Sequence, residues 1–193
     1  MDNGSNCKMS VDGTDCRVKR PKPDEFRKYY SHKFKGAGLR YEVALCIQTG
    51  DIVWVNGTFP CGHHPDINIF LQDLATLLDD GERVEADDGY RGWPKFVDTP
   101  KSNCADKPGI VTQKKQVRAR HEHVNSRLKT FKVLADCFRQ SYDMHGLVFR
   151  SVAIITQISF ETGNPLPSVF YLHRVISAND ENYDASEEDS EDE

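Results

Sequence analysis

"LRYEVALCIQTGDIVWVNGTFP", Leu39 to Pro60, is the stretch on which the fold turns. Both halves are rich in β-branched and aromatic residues, which suit a pleated, half-buried surface. Between them, Thr49-Gly50-Asp51 is a turn sequence. The stretch therefore reads as an antiparallel hairpin. Upstream, "KMSVDGTDCRV" (8–18) opens as a strand and breaks at Gly13. Pro21 and Pro23 rule out a continuous helix between that strand and the hairpin. Downstream, "PDINIFLQDLATLLD" (65–79) changes period. Ile67, Phe70, Leu71, Leu74, Leu77 and Leu78 fall on one helical face, and Pro65 and Asp66 suit its N-terminus. "ERVEADDGY" (82–90) returns to strand, and residues 91–113 read as loop. From about Gln116 to Asp143 the pattern is that of one long helix, with Val124, Leu128, Phe131, Leu134 and Phe138 on its apolar face. Gly146 restarts a second helix, and "PSVFYLH" (167–173) reads as a short closing strand. Three strands, a helix, a fourth strand and then helices predict an α/β protein: a mixed sheet with helices packed on it.

With 193 residues the chain is long enough for one domain with a sizeable core. No apolar run approaches the ~20 residues of a membrane span. No apolar signal segment stands at the N-terminus. The six cysteines are scattered without a C-x-x-C pair, which predicts reduced thiols. Cys46 and Cys137 read as buried small hydrophobes, and Trp54 and Trp93 as packing residues. The net charge of -5 conceals two regions. "NDENYDASEEDSEDE" (179–193) holds nine of the thirty acids and no basic residue. It reads as a disordered acidic tail on a domain spanning 1–178. Without it, 21 acids face 25 Lys and Arg, so the body is mildly basic. Eight of those basic residues lie between Arg17 and Lys35, interleaved with Phe26, Tyr29, Tyr30 and Phe34. That mixture, with Lys33 and Lys35 at its end, is suited to a nucleic-acid backbone. "KRPK" (19–22) hints weakly at nuclear import.

"VEADDGYRGWP" (84–94) poses a problem of its own. Two carboxylates at the end of a buried strand are costly unless a cation or hydrogen bonds hold them. Asp12 in "VDGTD" ends or edges the first strand, and Glu122 lies on the long helix. Singly, each reads as a turn or surface acid. Together, three carboxylates from two strands and a helix could hold divalent ions with oxygen ligands.

The joint pattern resembles the catalytic domain of DDE transposases, the DDE superfamily endonucleases, of the Harbinger and IS4/IS5-like group. The matching segments are "VDGTD" (11–15), "YSHKFKGAGLRYEVALCI" (30–47), "TGDIVWVNGTFPCGHHPDINIF" (49–70), "ADDGYRG" (86–92) and "RARHEHVNSRLKTF" (118–131), in the family's order. Arg118, Glu122 and Lys129 fit the spacing Arg-x3-Glu-x6-Lys. The resemblance implies a ribonuclease-H-like fold, a mixed sheet flanked by helices. It implies Asp12, Asp87 and Glu122 as the catalytic, metal-binding triad for two Mg²⁺ or Mn²⁺ ions. DNA is the implied substrate, cleaved to a 3′-hydroxyl that strand transfer would reuse. Arg118, Lys129 and Lys115 would hold phosphates. Lys115 stands where some relatives carry a tyrosine, and Asp88 where the family often has lysine.

The same resemblance leaves room for homo-oligomers and for a separate DNA-binding partner protein. Full-length relatives carry an N-terminal helical DNA-binding segment, and only eleven residues precede Asp12 here, so its absence is expected. Hence the alternative is an inactive, domesticated or truncated module that binds DNA or protein. A third class is an interaction protein acting through the tail. Asp66, in "GHHPD", is the substitute acid should Asp12 or Asp87 be misassigned. His63-His64 and His121-x-His123 do not make zinc pairs, because i and i+2 do not share a helix face. They read as loop and helix-surface histidines.

Overall fold

The computed structural model describes residues 7–99 and 108–169. The acidic tail, Cys104 and residues 170–173 of the expected closing strand lie outside the described residues.

The first strand, β1 (Cys7–Arg17), does not break at Gly13 but runs straight through it. Gly13 serves close packing instead: a Cβ there would collide with the Asp66 carboxylate. The hairpin is as expected, with β3 (Gly36–Cys46) and β4 (Ile52–Pro60) antiparallel across Val43 and Val55. The basic-aromatic stretch forms one helical turn, α1 (Phe26–Tyr29), and a two-residue strand, β2 (Tyr30–Ser31). The amphipathic segment divides into α2 (Asp66–Gln72) and a 3-10 turn (Leu74–Leu77). The division falls at Asp73, whose carboxylate accepts a 2.7 Å bond from Asn56 of β4. The fourth long-range strand is short: β5 (Arg83–Glu85), followed by β6 (Val97–Asp98).

These strands form one mixed sheet ordered β2-β3-β1-β5-β6, with β4 also on β3. β1 pairs antiparallel with β3 and parallel with β5, and β5 pairs parallel with β6. Alternate residues of β1 and β3 feed two cores. Val11 and Ala44 pack with Phe70, Leu74, Val84 and Tyr90 on the α2 face. Cys16, Leu39, Tyr41, Val43 and Leu45 pack with the C-terminal helices on the other. This is the expected ribonuclease-H-like arrangement.

The C-terminal helices differ from the sequence pattern in their limits. α3 (Pro108–Leu128) starts earlier and stops earlier than expected. A short α4 (Lys132–Ala135) follows, and Phe138 then bridges to Val18 in extended chain. The apolar spacing misled because Val124, Leu128, Leu134 and Phe138 all enter one core, although only the first two lie on α3. α5 (Tyr142–Glu161) starts at Ser141, whose hydroxyl accepts from Met144 N. Gly146 lies within it, against Thr58. Residues 164–169 form no strand. The described cysteines are free, as expected, but Cys137 is exposed and Cys46 only half-buried. Trp93 is about half exposed. None of the described helices is long and apolar enough to cross a membrane.

His145 shows what the helical core does to a titratable group. It is fully buried, shares a 2.7 Å hydrogen bond with the Tyr41 hydroxyl and meets the Phe138 ring edge-on at 4.7 Å. Burial pulls its pKa from 6.5 down to about 4. The folded chain therefore holds the neutral ring where the unfolded chain holds a proton. Its stabilising contribution is complete above pH 6.5 and is lost as pH falls through 4, roughly 3 kcal/mol across that window. Unfolding free energy followed from pH 7 to 4 should fall less steeply in His145→Gln than in wild type. Identical slopes would contradict this account.

Candidate active site

The parallel pairing of β1 with β5 sets Ser10 beside Glu85. Two residues beyond that pair stand Asp12 on β1 and Asp87 at the start of a 3-10 turn (Asp88–Tyr90). Asp87 caps this turn: its Oδ1 accepts from Gly89 N at 2.8 Å. That bond explains the Asp-Asp-Gly sequence, since a Cβ at position 89 would crowd the same oxygen. α3 is tied to β1 beside them, His121 to Ser10 and Asn125 to Asp12. Asp12, Asp87 and Glu122 line one cavity of about 370 Å³, together with Glu85, Asp98, Lys114, Lys115 and Arg118.

Both oxygens of the Asp12 carboxylate are held by hydrogen bonds. Its Oδ1 accepts from Gly13 N at 2.7 Å and its Oδ2 from Asn125 Nδ2 at 3.1 Å. Asn125 is one helical turn beyond Glu122, so this bond turns the Glu122 face of α3 toward β1. Burial raises the Asp12 pKa from 3.8 to about 6. Lys33 opposes the rise, while Asp87 and Asp66 add to it. The Lys33 ammonium donates to Gly13 O at 2.8 Å, beside Asp12. It is seated by a buried anchor. Ser31, fully buried, donates to Asp15 at 2.5 Å and accepts from Lys33 N at 3.2 Å. Arg40 grips Asp15 with two bonds, at 2.8 and 3.1 Å. Against the cost of burial, Arg40 and Ser31 hold the Asp15 pKa below its usual value.

The other expected contacts divide. Arg118 and Lys115 line the cavity; Lys129 lies just past the end of α3 and does not. Lys35 is exposed, in the left-handed conformation with φ 53°. The charge that Asp88 adds is met by Arg91, 3.3 Å away. His121 is not a surface residue: it is buried and shares a 2.7 Å bond with Ser10 Oγ, while His123 points to solvent. Asp66 is not in the cavity lining. It lies on the opposite face of the sheet, against Gly13.

Sequence reading did not single out Asn125 or the Lys114–Asp98 ion pair at 2.9 Å, which fastens α3 to β6. Asn125 had one available signal, its three-residue spacing from Glu122. Asp98 had none.

The carboxylate set suits a hard divalent cation, and the mutual repulsion of Asp12 and Asp87 is what such a cation would relieve. Among the described residues, however, no three acid, histidine or cysteine side chains are gathered closely enough to hold an ion as they stand. Residues 11–158 match the family model described as DDE superfamily endonuclease. The match is to the superfamily and leaves the Harbinger and IS4/IS5-like assignment a resemblance. No curated protein and no solved structure is similar enough to be matched.

Proposed function

The chain belongs to the DDE superfamily of endonucleases, and on that premise we propose that it is a transposase-like DNA nuclease whose Asp12, Asp87 and Glu122 hold divalent Mg²⁺ or Mn²⁺. The observation that carries this reading is the single cavity lined by all three acids and rimmed by Arg118 and Lys115. A pair of such ions supplies charge stabilisation at phosphoryl oxygens and a water of lowered pKa. The chain's own residues do the rest. Asn125 and Gly13 N fix the Asp12 carboxylate. Arg118 and Lys115 draw the phosphate backbone to the cavity mouth. The Lys33 ammonium, fixed by the buried Ser31–Asp15–Arg40 anchor, places a positive charge beside Asp12 for a phosphate oxygen. With a DNA 3′-hydroxyl in place of water, the same site would perform strand transfer.

A second reading, a binding module that no longer cuts, is favoured by the acids not being gathered into an ion site. The Mn²⁺-induced shift in melting temperature separates the two, because it needs no cognate DNA. At 100-fold above its dissociation constant, a bound ion stabilises by ~2.7 kcal/mol. Wild type should show that shift and Asp87→Asn should not. Equal shifts, or none, would favour the binding module.

A further inference from the structure

The strands that carry Asp12 and lead to Asp87 are held side by side by backbone pairing. Glu122 has no such guide, because it stands on α3. Val117, Val124 and Leu128 press α3 onto the sheet, each at most 2% exposed. Apolar contact is non-directional. It does not set how far α3 lies along β1 or how it is rolled about its own axis. Two hydrogen bonds from β1 do. Ser10 Oγ and His121 Nε2 share one at 2.7 Å, and Asn125 Nδ2 donates to Asp12 Oδ2 at 3.1 Å. Four residues of helix rise ~6 Å and two residues of strand ~6.6 Å. The bonds are therefore successive rungs between one face of α3 and one face of β1.

The rungs also fix the roll. At about 100° per residue, His121 and Asn125 lie on the border between two arcs of α3. One arc is that of Val117, Val124 and Leu128, and the other carries Lys115, Arg118 and Glu122 into the cavity lining. Lys114 and Arg120 fasten α3 elsewhere, to Asp98 of β6 at 2.9 Å and to the Ile47 carbonyl at 2.8 Å, through long side chains. The rungs join it to the strand that bears Asp12. They differ in one respect. The Asn125 rung ends on a carboxylate oxygen that a bound ion would also claim. The Ser10–His121 rung uses no carboxylate, and its two residues are buried, 3% and 4% exposed, in the cavity wall.

We propose that Ser10 and His121 are positioning residues for Glu122: their bond holds α3 on β1 at the register and roll that keep the Glu122 carboxylate with Asp12 and Asp87, whether or not an ion has taken Asp12 from Asn125. The inference rests on the reading of the three acids as metal ligands given above. Groups that orient metal-binding side chains typically change metal affinity 10–100-fold when removed.

The test is Mn²⁺ binding to the full chain, read from the electron paramagnetic resonance signal of free Mn²⁺, beside the melting temperature of each metal-free variant. Ser10→Ala should raise the Mn²⁺ dissociation constant about ten-fold or more, and Ser10→Thr, which keeps a hydroxyl, should restore most of the affinity. Ser10→Ala combined with His121→Leu leaves no stranded polar group, so its stability should stay close to that of wild type, while its Mn²⁺ affinity stays as low as that of Ser10→Ala. Tyr41→Phe is the matched control, since Tyr41 and His145 share a buried hydroxyl–imidazole bond of the same 2.7 Å in the helical core. It should lower the melting temperature and leave Mn²⁺ binding unchanged. In Glu122→Gln, which keeps Asp12 and Asp87 for a weaker site, Ser10→Ala should add no further loss. Unchanged affinity in Ser10→Ala, or an equal further loss in the Glu122→Gln background, would overturn the positioning role. Wild type that binds no Mn²⁺ would overturn the metal-site reading beneath it.

Discussion

An Asp12→Asn protein is expected to lose Mn²⁺-dependent DNA cleavage by at least about 10³-fold, some 4 kcal/mol of transition-state stabilisation, and yet to melt at a higher temperature than wild type. Both effects have one cause. Asp12 is a partly buried carboxylate with Asp87 and Asp66 adding negative charge nearby and Lys33 only partly offsetting them. Without a cation, that arrangement strains the folded chain. The amide keeps an oxygen for Gly13 N, and the Asn125 side chain can turn over to present its carbonyl. Relief of about 1 kcal/mol is the ordinary gain when a functional site is neutralised. For a chain of this size it would raise the melting temperature by about 2–4 °C. Retained cleavage would remove Asp12 from the triad. A lower melting temperature would refute the electrostatic account while leaving the triad standing.

The largest loss of stability is expected from Arg40→Ala. The Arg40 side chain is 12% exposed and that of its partner Asp15 is 1%. Removing one member of a buried pair strands the other charge, which costs about 3–5 kcal/mol. Here the loss spreads further. Arg40 also holds the His64 carbonyl at 3.0 Å and the charge of Asp66 at 3.3 Å. Through Asp15 and Ser31 it seats Lys33 beside Asp12. Urea denaturation should show the lowered midpoint, and Asp15→Asn combined with Arg40→Ala should recover part of it, since the stranded charge is then gone. A double variant no more stable than the single one would show that the guanidinium acts mainly through its other contacts.

The hairpin was legible because its signal is local: β-branched residues on either side of Thr49-Gly50-Asp51. The helix limits were not. Phe131, Leu134 and Phe138 keep an apolar spacing after the helix has ended, because the chain turns and re-enters the same core. Gly13 read as a strand break because glycine usually marks one, whereas here it admits the Asp66 side chain. Asp12, Asp87 and Glu122 stood out through the resemblance, and the cavity they share is a property of the folded chain alone. The seat of Lys33 and the bond from Asn125 to Asp12 join residues distant in sequence. No periodicity records such pairings.

The parallel pairing of Ser10 with Glu85 also bears on how the molecule assembles. The contacts of β1 with β3, and of β3 with β4, join neighbours along the chain. Joining β1 to β5 instead closes a loop of about 75 residues, and such closures are entropically dearer and slower than hairpins. The three antiparallel strands can therefore zip first, with Asp12 already in place and Asp87 still far away. Only that closure brings the two acids to one edge. A divalent ion held by the two acids, as proposed above, would then act on this later step and not on the hairpins, as a latch between the two halves of the sheet.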